Sequence, residues 1–395
     1  MYMVPVTPRN EMECVLCLLM MLFMWSILVL VLGCWLSLFD SFGGLEMPCY
    51  HPLLGLPKGV RPDTGKMQYL IKPWPKGVQS TAELGYDGCV QIPCGRCIGC
   101  QLERSRQWAN RCLLELEYHD SAYFVTLTYN DDAVPRVLYT DDATGEAHEA
   151  MTLRKRDFQL FMKRLRRAFP DDKIRFFAAG EYGGATYRPH YHAILFGLHL
   201  NDLSLYKPSK DGFNYYTSKK FQKVWDSSCF SGKLCYDECK GSTTPLTTRG
   251  FAVVANVSWD TCAYVARYVT KKLVGFDGEF YARHNLEPPF SLMSRKPGIG
   301  RQYYDEHEDL YDYAYINVAT EDGGKKFRPP KYFDRLKSLD DPVGYDAMVA
   351  DRRAFAEASQ AAKAANTHLS FLDALTVAER VKSDKVKSLR RNKIE

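Results

Sequence analysis

His190 and His192 sit one residue apart at the head of an apolar run that continues through Ala193-Ile194-Leu195-Phe196, directly after Arg188-Pro189. Side chains at i and i+2 of a β-strand point to the same face, so a strand here lets both imidazoles converge on one metal ion. The competing reading is a pair of satisfied core or edge histidines. Residues elsewhere in the chain decide between the two.

With 46% hydrophobic residues over 395 positions, the chain can bury at least one sizeable core, and one main domain with extensions is expected. Net charge is +5, but residues 1–46 hold Arg9 against Glu11, Glu13, Asp40 and Glu46, so the remainder carries +8. A basic body suits a nucleic-acid partner and equally a solvated surface. The 13 cysteines, an odd number in a chain too large to need disulfide staples, favour a reducing compartment with thiols or metal sites. Val15 to Phe39 is free of charge over 25 residues. A helix of that length reaches ~37 Å, enough to cross a bilayer. A membrane partner follows only if residues 15–39 are translated; the alternative is initiation at Met47, where composition turns from membrane-like to globular.

The expected organisation is an apolar extension over 1–46, a Cys-rich lobe and helix over 47–118, a main domain over 119–335 with an insertion at about 199–249, and a helical, charged tail over 336–395. Residues 47–101, rich in Pro, Gly and Cys, read as irregular structure, followed by a helix from Glu103 to Tyr118. Tyr123 to Tyr129 alternates as a strand and stops at Asn130-Asp131-Asp132. A basic helix follows, with Thr152 as its cap, an apolar stripe of Phe158, Phe161, Met162, Leu165 and Phe169, and a stop at Pro170. Ile174 to Ala179 is a second strand, the histidine run a third and Phe251 to Val257 a fourth. The insertion holds a short helix around Ser218 to Trp225, and its Cys229, Cys235 and Cys239 read as free thiols. Ser258 caps a helix from Thr261 to Leu273. This mixed order without a βαβ repeat predicts an α+β fold with a mainly antiparallel sheet.

On that last helix, Tyr264 and Tyr268 share one face, and Lys271 and Lys272 continue it. A phenol with a pKa of about 10 is a poor nucleophile until a nearby cation favours phenolate. The bland alternative is two core tyrosines flanked by surface lysines. His190, His192 and one carboxylate would make a three-ligand site with open positions for phosphate oxygens and water. Glu181, nine residues before His190, is the best third ligand; Asp131 and Glu103 are weaker ones. Such a set suits Mn2+, tolerates Mg2+ and would also bind Zn2+.

Phe124-Val125-Thr126-Leu127-Thr128-Tyr129-Asn130, Pro189-His190-Tyr191-His192 and Tyr264-x3-Tyr268-x2-Lys271 resemble the three ordered motifs of HUH endonucleases that initiate rolling-circle replication. From Met47 to about Arg335 the chain resembles the initiators of Microviridae single-stranded DNA phages, in particular the gokushovirus type. The resemblance implies a central antiparallel five-stranded sheet flanked by helices, with the histidines on a central strand and the tyrosines on an adjacent helix. It further implies site-specific nicking of origin DNA by a tyrosine with Mg2+ or Mn2+, a 5′-phosphotyrosyl link, a free 3′-OH and rejoining of the displaced strand. Host helicase and DNA polymerase are the implied partners, and the cytoplasm of a bacterial host the implied setting. Tyr-x2-Lys spacing favours Tyr268 as first nucleophile, whereas Tyr264 has Arg267 in that register. A plasmid relaxase or transposase of the same chemistry, and a non-catalytic zinc-stapled DNA-binding protein, are the alternatives.

Cys94-x2-Cys97-x2-Cys100 supplies three thiolates, and Cys49, foremost, or His51 or Cys89 could complete a structural Zn2+ site. Arg188, Arg267 and the basic loop residues Arg295, Lys296 and Arg301 are candidate DNA contacts. Gly59-x5-Gly65-Lys66-Met67 is not a phosphate-binding loop, because it is one residue too long and has Met67 where Ser or Thr should bind Mg2+.

Overall fold

The computed structural model describes residues 49–388 except 64, 66, 185, 209–213, 227–247, 270–275 and 321–322. The apolar run Val15–Phe39, Lys271, Lys272 and the three cysteines of the insertion lie outside the described residues. Among the described residues, no helix is long and apolar enough to cross a membrane.

The core is one antiparallel sheet built from β4 (Ala122–Thr128), β7 (Arg175–Tyr182), β8 (Pro189–Phe196), β9 (Leu203–Pro208), β10 (Asn214–Ser218), β11 (Ala252–Asn256) and β12 (Phe290–Met293). Their order is β12-β7-β8-β4-β11-β10-β9. β8 therefore lies inside the sheet, paired with β7 on one side and β4 on the other. The fold is α+β as expected, but the sheet has seven strands rather than five. Residues 203–218, from the segment read as an insertion, fold into a hairpin that pairs onto the edge of β11. An open sheet edge presents unpaired backbone groups, and this hairpin satisfies them.

Strand periodicity sorts the side chains onto two faces. Val125, Leu127, Tyr191, Ala193 and Leu195 point to one, where they meet Phe158, Phe161, Met162 and Leu165 of α2 (Lys155–Ala168) and Phe221 and Trp225 of α3 (Lys219–Asp226). Phe124, Phe177, Ala179, Ile194 and Phe196 point to the other. There they meet Ala109 and Cys112 of α1 (Ile98–Leu116) and Cys262, Val265 and Ala266 of α4 (Trp259–Val269). Each fully buried Phe contributes about 2 kcal/mol relative to exposure.

The basic helix is not capped by Thr152. Its N-cap position is Arg154, and the Glu287 carboxylate, from a distant segment, accepts the Lys155 N–H at 2.7 Å. Thr152 Oγ1 instead accepts from the Glu287 N–H at 2.9 Å, so the threonine holds the capping residue rather than the helix. Ser258 does cap α4: its Oγ accepts from the Thr261 N–H, and the Thr261 hydroxyl oxygen accepts from the Ser258 N–H.

Residues 47–101 are not irregular throughout. β1 (Leu53–Val60), β2 (Met67–Pro73) and β3 (Val90–Ile92) form a three-stranded sheet in the order β2-β1-β3. A register shift between Pro57 and Gly59 interrupts the β1–β2 pairing, which breaks the alternation that would reveal these strands in the sequence. Two hairpins, β5 (Arg136–Thr140) with β6 (Ala147–Met151) and β13 (Ile316–Thr320) with β14 (Gly323–Phe327), stand apart from the main sheet. Helices α5 (Phe276–Arg283), α6 (Arg301–Glu306), α7 (Lys331–Asp340), α8 (Pro342–Ala365) and α9 (Phe371–Ser388) complete the chain. Residues 48–346 and 369–395 make one compact unit. Within it, α9 packs against the N-terminal sheet through Phe371 on Trp74, with ring centroids 5.2 Å apart. The described part of the second unit, residues 347–368, is helical through Ala365.

Candidate metal centre and nucleophile helix

Antiparallel pairing of β7 and β8 sets Glu181 opposite His190 and Ala179 opposite His192. Glu181, His190 and His192 thus share one face, the one covered by α4. A single carboxylate oxygen, Glu181 Oε1, lies 2.9 Å from His190 Nε2 and 3.1 Å from His192 Nε2. The three donor atoms lie within 4.8 Å of one another, a spacing that one cation with ligand distances of about 2.1 Å spans. Glu181 and His192 are buried, whereas the His190 side chain is 20% exposed, so the centre opens to solvent on the His190 side.

The outer nitrogens are tied down. His190 Nδ1 lies 3.0 Å from the Arg188 carbonyl oxygen, and His192 Nδ1 lies 3.0 Å from Thr126 Oγ1. A carbonyl accepts only, so His190 donates from Nδ1, and the neutral ring then carries its lone pair on Nε2, the form that binds metal. Lone pairs and a carboxylate oxygen aimed at one point repel unless a proton or cation lies between them, so the donor set fits a divalent ion. Burial pushes the Glu181 carboxyl up, but the hydrogen bonds and charge of His190 and His192 outweigh it and hold the group well below the usual carboxylate range.

Tyr264 joins this centre from α4. Its ring stands edge-on to His192, with centroids 5.1 Å apart at 83°. Phe124 braces both, stacking on His192 at 5.7 Å and meeting Tyr264 edge-on at 5.9 Å. Tyr268 and Arg267 lie one helical turn further along α4, with their side chains outside the described residues.

The weaker ligand candidates are engaged elsewhere: Asp131 pairs with Arg188 at 2.7 Å, and Glu103 pairs with Arg106 and accepts from Gln107. Arg188 stands beside the centre and donates from Nε to the Tyr129 carbonyl at 3.2 Å. The loop bearing Arg295, Lys296 and Arg301 lies at the other end of the sheet. Its Pro297 and Gly298 carbonyls accept from Arg175, at the opposite end of β7 from Glu181. Six residues of strand separate those ends by roughly 20 Å. Arg295 and Lys296 are exposed there, and Arg301 pairs with Asp305.

Sequence reasoning missed Thr126 and Phe124 as parts of the centre, although both lie in the motif strand. Their even spacing was the available signal, but only the pairing of Thr126 with His192 shows which alternate set faces the histidines. A second polar cluster lies buried on the opposite face. Tyr129 hydroxyl donates to Asp157 Oδ2 at 2.8 Å and meets the Tyr191 hydroxyl at 2.7 Å, and Arg249 pairs with the same carboxylate. Tyr191 hydroxyl in turn donates to the Arg154 carbonyl at 2.9 Å, tying the strand between the histidines to the start of α2.

A family model for replication-associated proteins of the ORF2 type matches residues 122–273, the stretch from β4 past α4 that contains this centre. The chain is 32% identical over 252 residues to the replication-associated protein ORF2 of Spiroplasma virus 4, covering 62% of this chain and 67% of that protein. It is 26% identical over 300 residues to the replication-associated protein VP4 of Bdellovibrio phage phiMH2K, covering 71% and 82%. A third relative, the replication-associated protein ORF4 of Chlamydia phage 1, is 27% identical over 191 residues, covering 46% and 39%. No solved structure matches the chain. With a match of that identity across two thirds of a relative, and the same class of protein in each comparison, the chain belongs to the replication-associated proteins of Microviridae phages.

Proposed function

We propose that this protein starts phage genome replication in the infected bacterium by nicking origin DNA, with Tyr264 and Tyr268 as nucleophiles and Mg2+ or Mn2+ held by Glu181, His190 and His192. The observation that carries this reading is the shared face, where two imidazoles and a carboxylate converge and a phenol ring packs on one of the imidazoles. A divalent ion bound by these three residues supplies neutralisation of the phosphate charge and orientation of a non-bridging oxygen.

The remaining chemistry belongs to the tyrosines. A phenol oxygen attacks phosphorus and loses its proton, the bond from phosphorus to the 3′ oxygen breaks, and that oxygen leaves as a 3′-OH once protonated. The 5′ phosphate stays on tyrosine, and the 3′-OH primes synthesis by a host polymerase behind a host helicase. After one round the second tyrosine attacks the regenerated origin. The 3′-OH so released attacks the first phosphotyrosine, closes the displaced strand into a circle and frees the first phenol. Lys271 and Lys272, one to two turns further along, favour the phenolate form. The contact of Tyr264 with His192 supports Tyr264 as the phenol nearest the bound phosphate. Arg188, Arg267, Arg295, Lys296 and Arg301 are proposed contacts to the DNA backbone.

Cleavage of a labelled origin single strand with Mn2+ tests this reading. Chelation, or Glu181→Ala, is expected to remove cleavage. Cleavage that survives both would overturn the metal assignment.

A further inference from the structure

Four thiols lie together outside the family-matched segment. The sulfurs of Cys49, Cys94, Cys97 and Cys100 are all within 4.8 Å of one another, with Cys94 half-buried and the other three buried. A tetrahedral zinc with bonds of about 2.3 Å to sulfur requires its sulfurs to stand about 3.8 Å apart. An iron–sulfur cluster needs its cysteines further apart, since each ligates a different corner. The observed spacing therefore fits one mononuclear ion.

Backbone donors surround the sulfurs. The Tyr50 N–H donates to Cys97 Sγ at 3.3 Å, the Cys94 N–H to Cys49 Sγ at 3.2 Å, and the N–H groups of Arg96 and Cys97 to Cys94 Sγ at 3.4 and 3.3 Å. The Cys100 N–H donates to Cys97 Sγ at 3.5 Å, which makes Cys97 the N-cap of α1. N–H groups aimed at sulfur favour thiolate, the form a metal binds. The other two ligand candidates are occupied: Cys89 packs with Leu54 and Trp74 in an apolar cluster, and His51 is exposed and bonded to Glu379 at 2.6 Å.

We propose that Cys49, Cys94, Cys97 and Cys100 bind one structural Zn2+ that fixes the start of α1. Four thiolates leave no open position for substrate, so the site is closed. Its mechanical role follows from what α1 supports. Ser105 hydroxyl donates to the Ala263 carbonyl of α4 at 3.1 Å, and Ala109 and Cys112 pack with Cys262, Val265 and Ala266. Zinc thus anchors the helix that backs the one bearing Tyr264. This inference does not depend on the nicking reaction.

The test is metal analysis of the full chain purified with a non-chelating reductant and no added metal. One zinc per chain is expected in the wild type, in Cys89→Ala and in His190→Ala with His192→Ala, and none in Cys94→Ser with Cys97→Ser. Should the cysteine variant fail to fold, cobalt exchange into the wild type supplies an independent reading, because a tetrahedral four-thiolate site gives intense visible and sulfur charge-transfer bands. Zinc missing from the reduced wild type, iron in its place, zinc lost from the histidine variant, or a cobalt spectrum without thiolate bands would each overturn the proposal.

Discussion

The ring of Tyr264 meets that of His192 edge-on, 5.1 Å between centroids, although the two residues are 72 positions apart in the chain. The contact joins a helix side chain to the second histidine of the ligand strand, so the phenol and the proposed phosphate-binding ion answer to the same β8 backbone. Tyr264→Phe keeps that ring contact and removes only the oxygen. It is expected to leave Mn2+ affinity unchanged and to slow origin cleavage at least about tenfold in a gel assay of single turnovers. Unchanged cleavage would assign the first attack to Tyr268.

Thr126 acts on the proposed metal through His192. Thr126→Val keeps the shape of the side chain but removes the oxygen beside His192 Nδ1. Losing a group that orients a metal ligand typically costs 10- to 100-fold in affinity. Calorimetric titration should show Mn2+ binding weakened by about that factor, restored by Thr126→Ser, with little change in the unfolding midpoint of the metal-free protein.

Much of this centre was legible because its spacing is local. Two-residue periodicity is enough to put His190 and His192 on one face, and four-residue periodicity does the same for Tyr264 and Tyr268. Glu181 was legible as a strand end, although its pairing opposite His190 required the register. Thr126 was not, because alternation gives two faces without saying which one meets the histidines. The outer strands escaped for a different reason. β9 and β10 are short and largely exposed, so they lack the apolar alternation that marks a buried strand, and their place is set by pairing with β11. The Arg295–Arg301 loop shows the limit of charge as a guide. Its composition suits phosphate, but only the anchoring of its carbonyls by Arg175 reveals that it lies far from Glu181 along β7.

Glu115 gives a pH-dependent test of the support beneath α4. Buried at the end of α1, it takes hydrogen bonds from His119, Arg175 and the Gly300 N–H. Burial raises its pKa, but these three partners outweigh it and lower the carboxyl below its ordinary 4.5. A carboxyl depressed in the folded state adds stability above its unfolded pKa, and that stability fades as pH falls through the folded value. Glu115→Gln is therefore expected to cost about 3 kcal/mol near neutrality, because Arg175 loses its partner. The gap from wild type should narrow below pH 4.5. Denaturant titrations across that range check the sign, and a gap that widens on acidification would contradict it.

The most direct measurement of the central claim is the location of the covalent link. Origin single strands incubated with protein and Mn2+, then digested and analysed by mass spectrometry, are expected to yield a 5′-phosphotyrosyl peptide containing Tyr264 or Tyr268. The adduct is expected to vanish in Tyr264→Phe with Tyr268→Phe while the fold remains intact by circular dichroism. A link on another residue, or an adduct that persists in the double variant, would contradict the account.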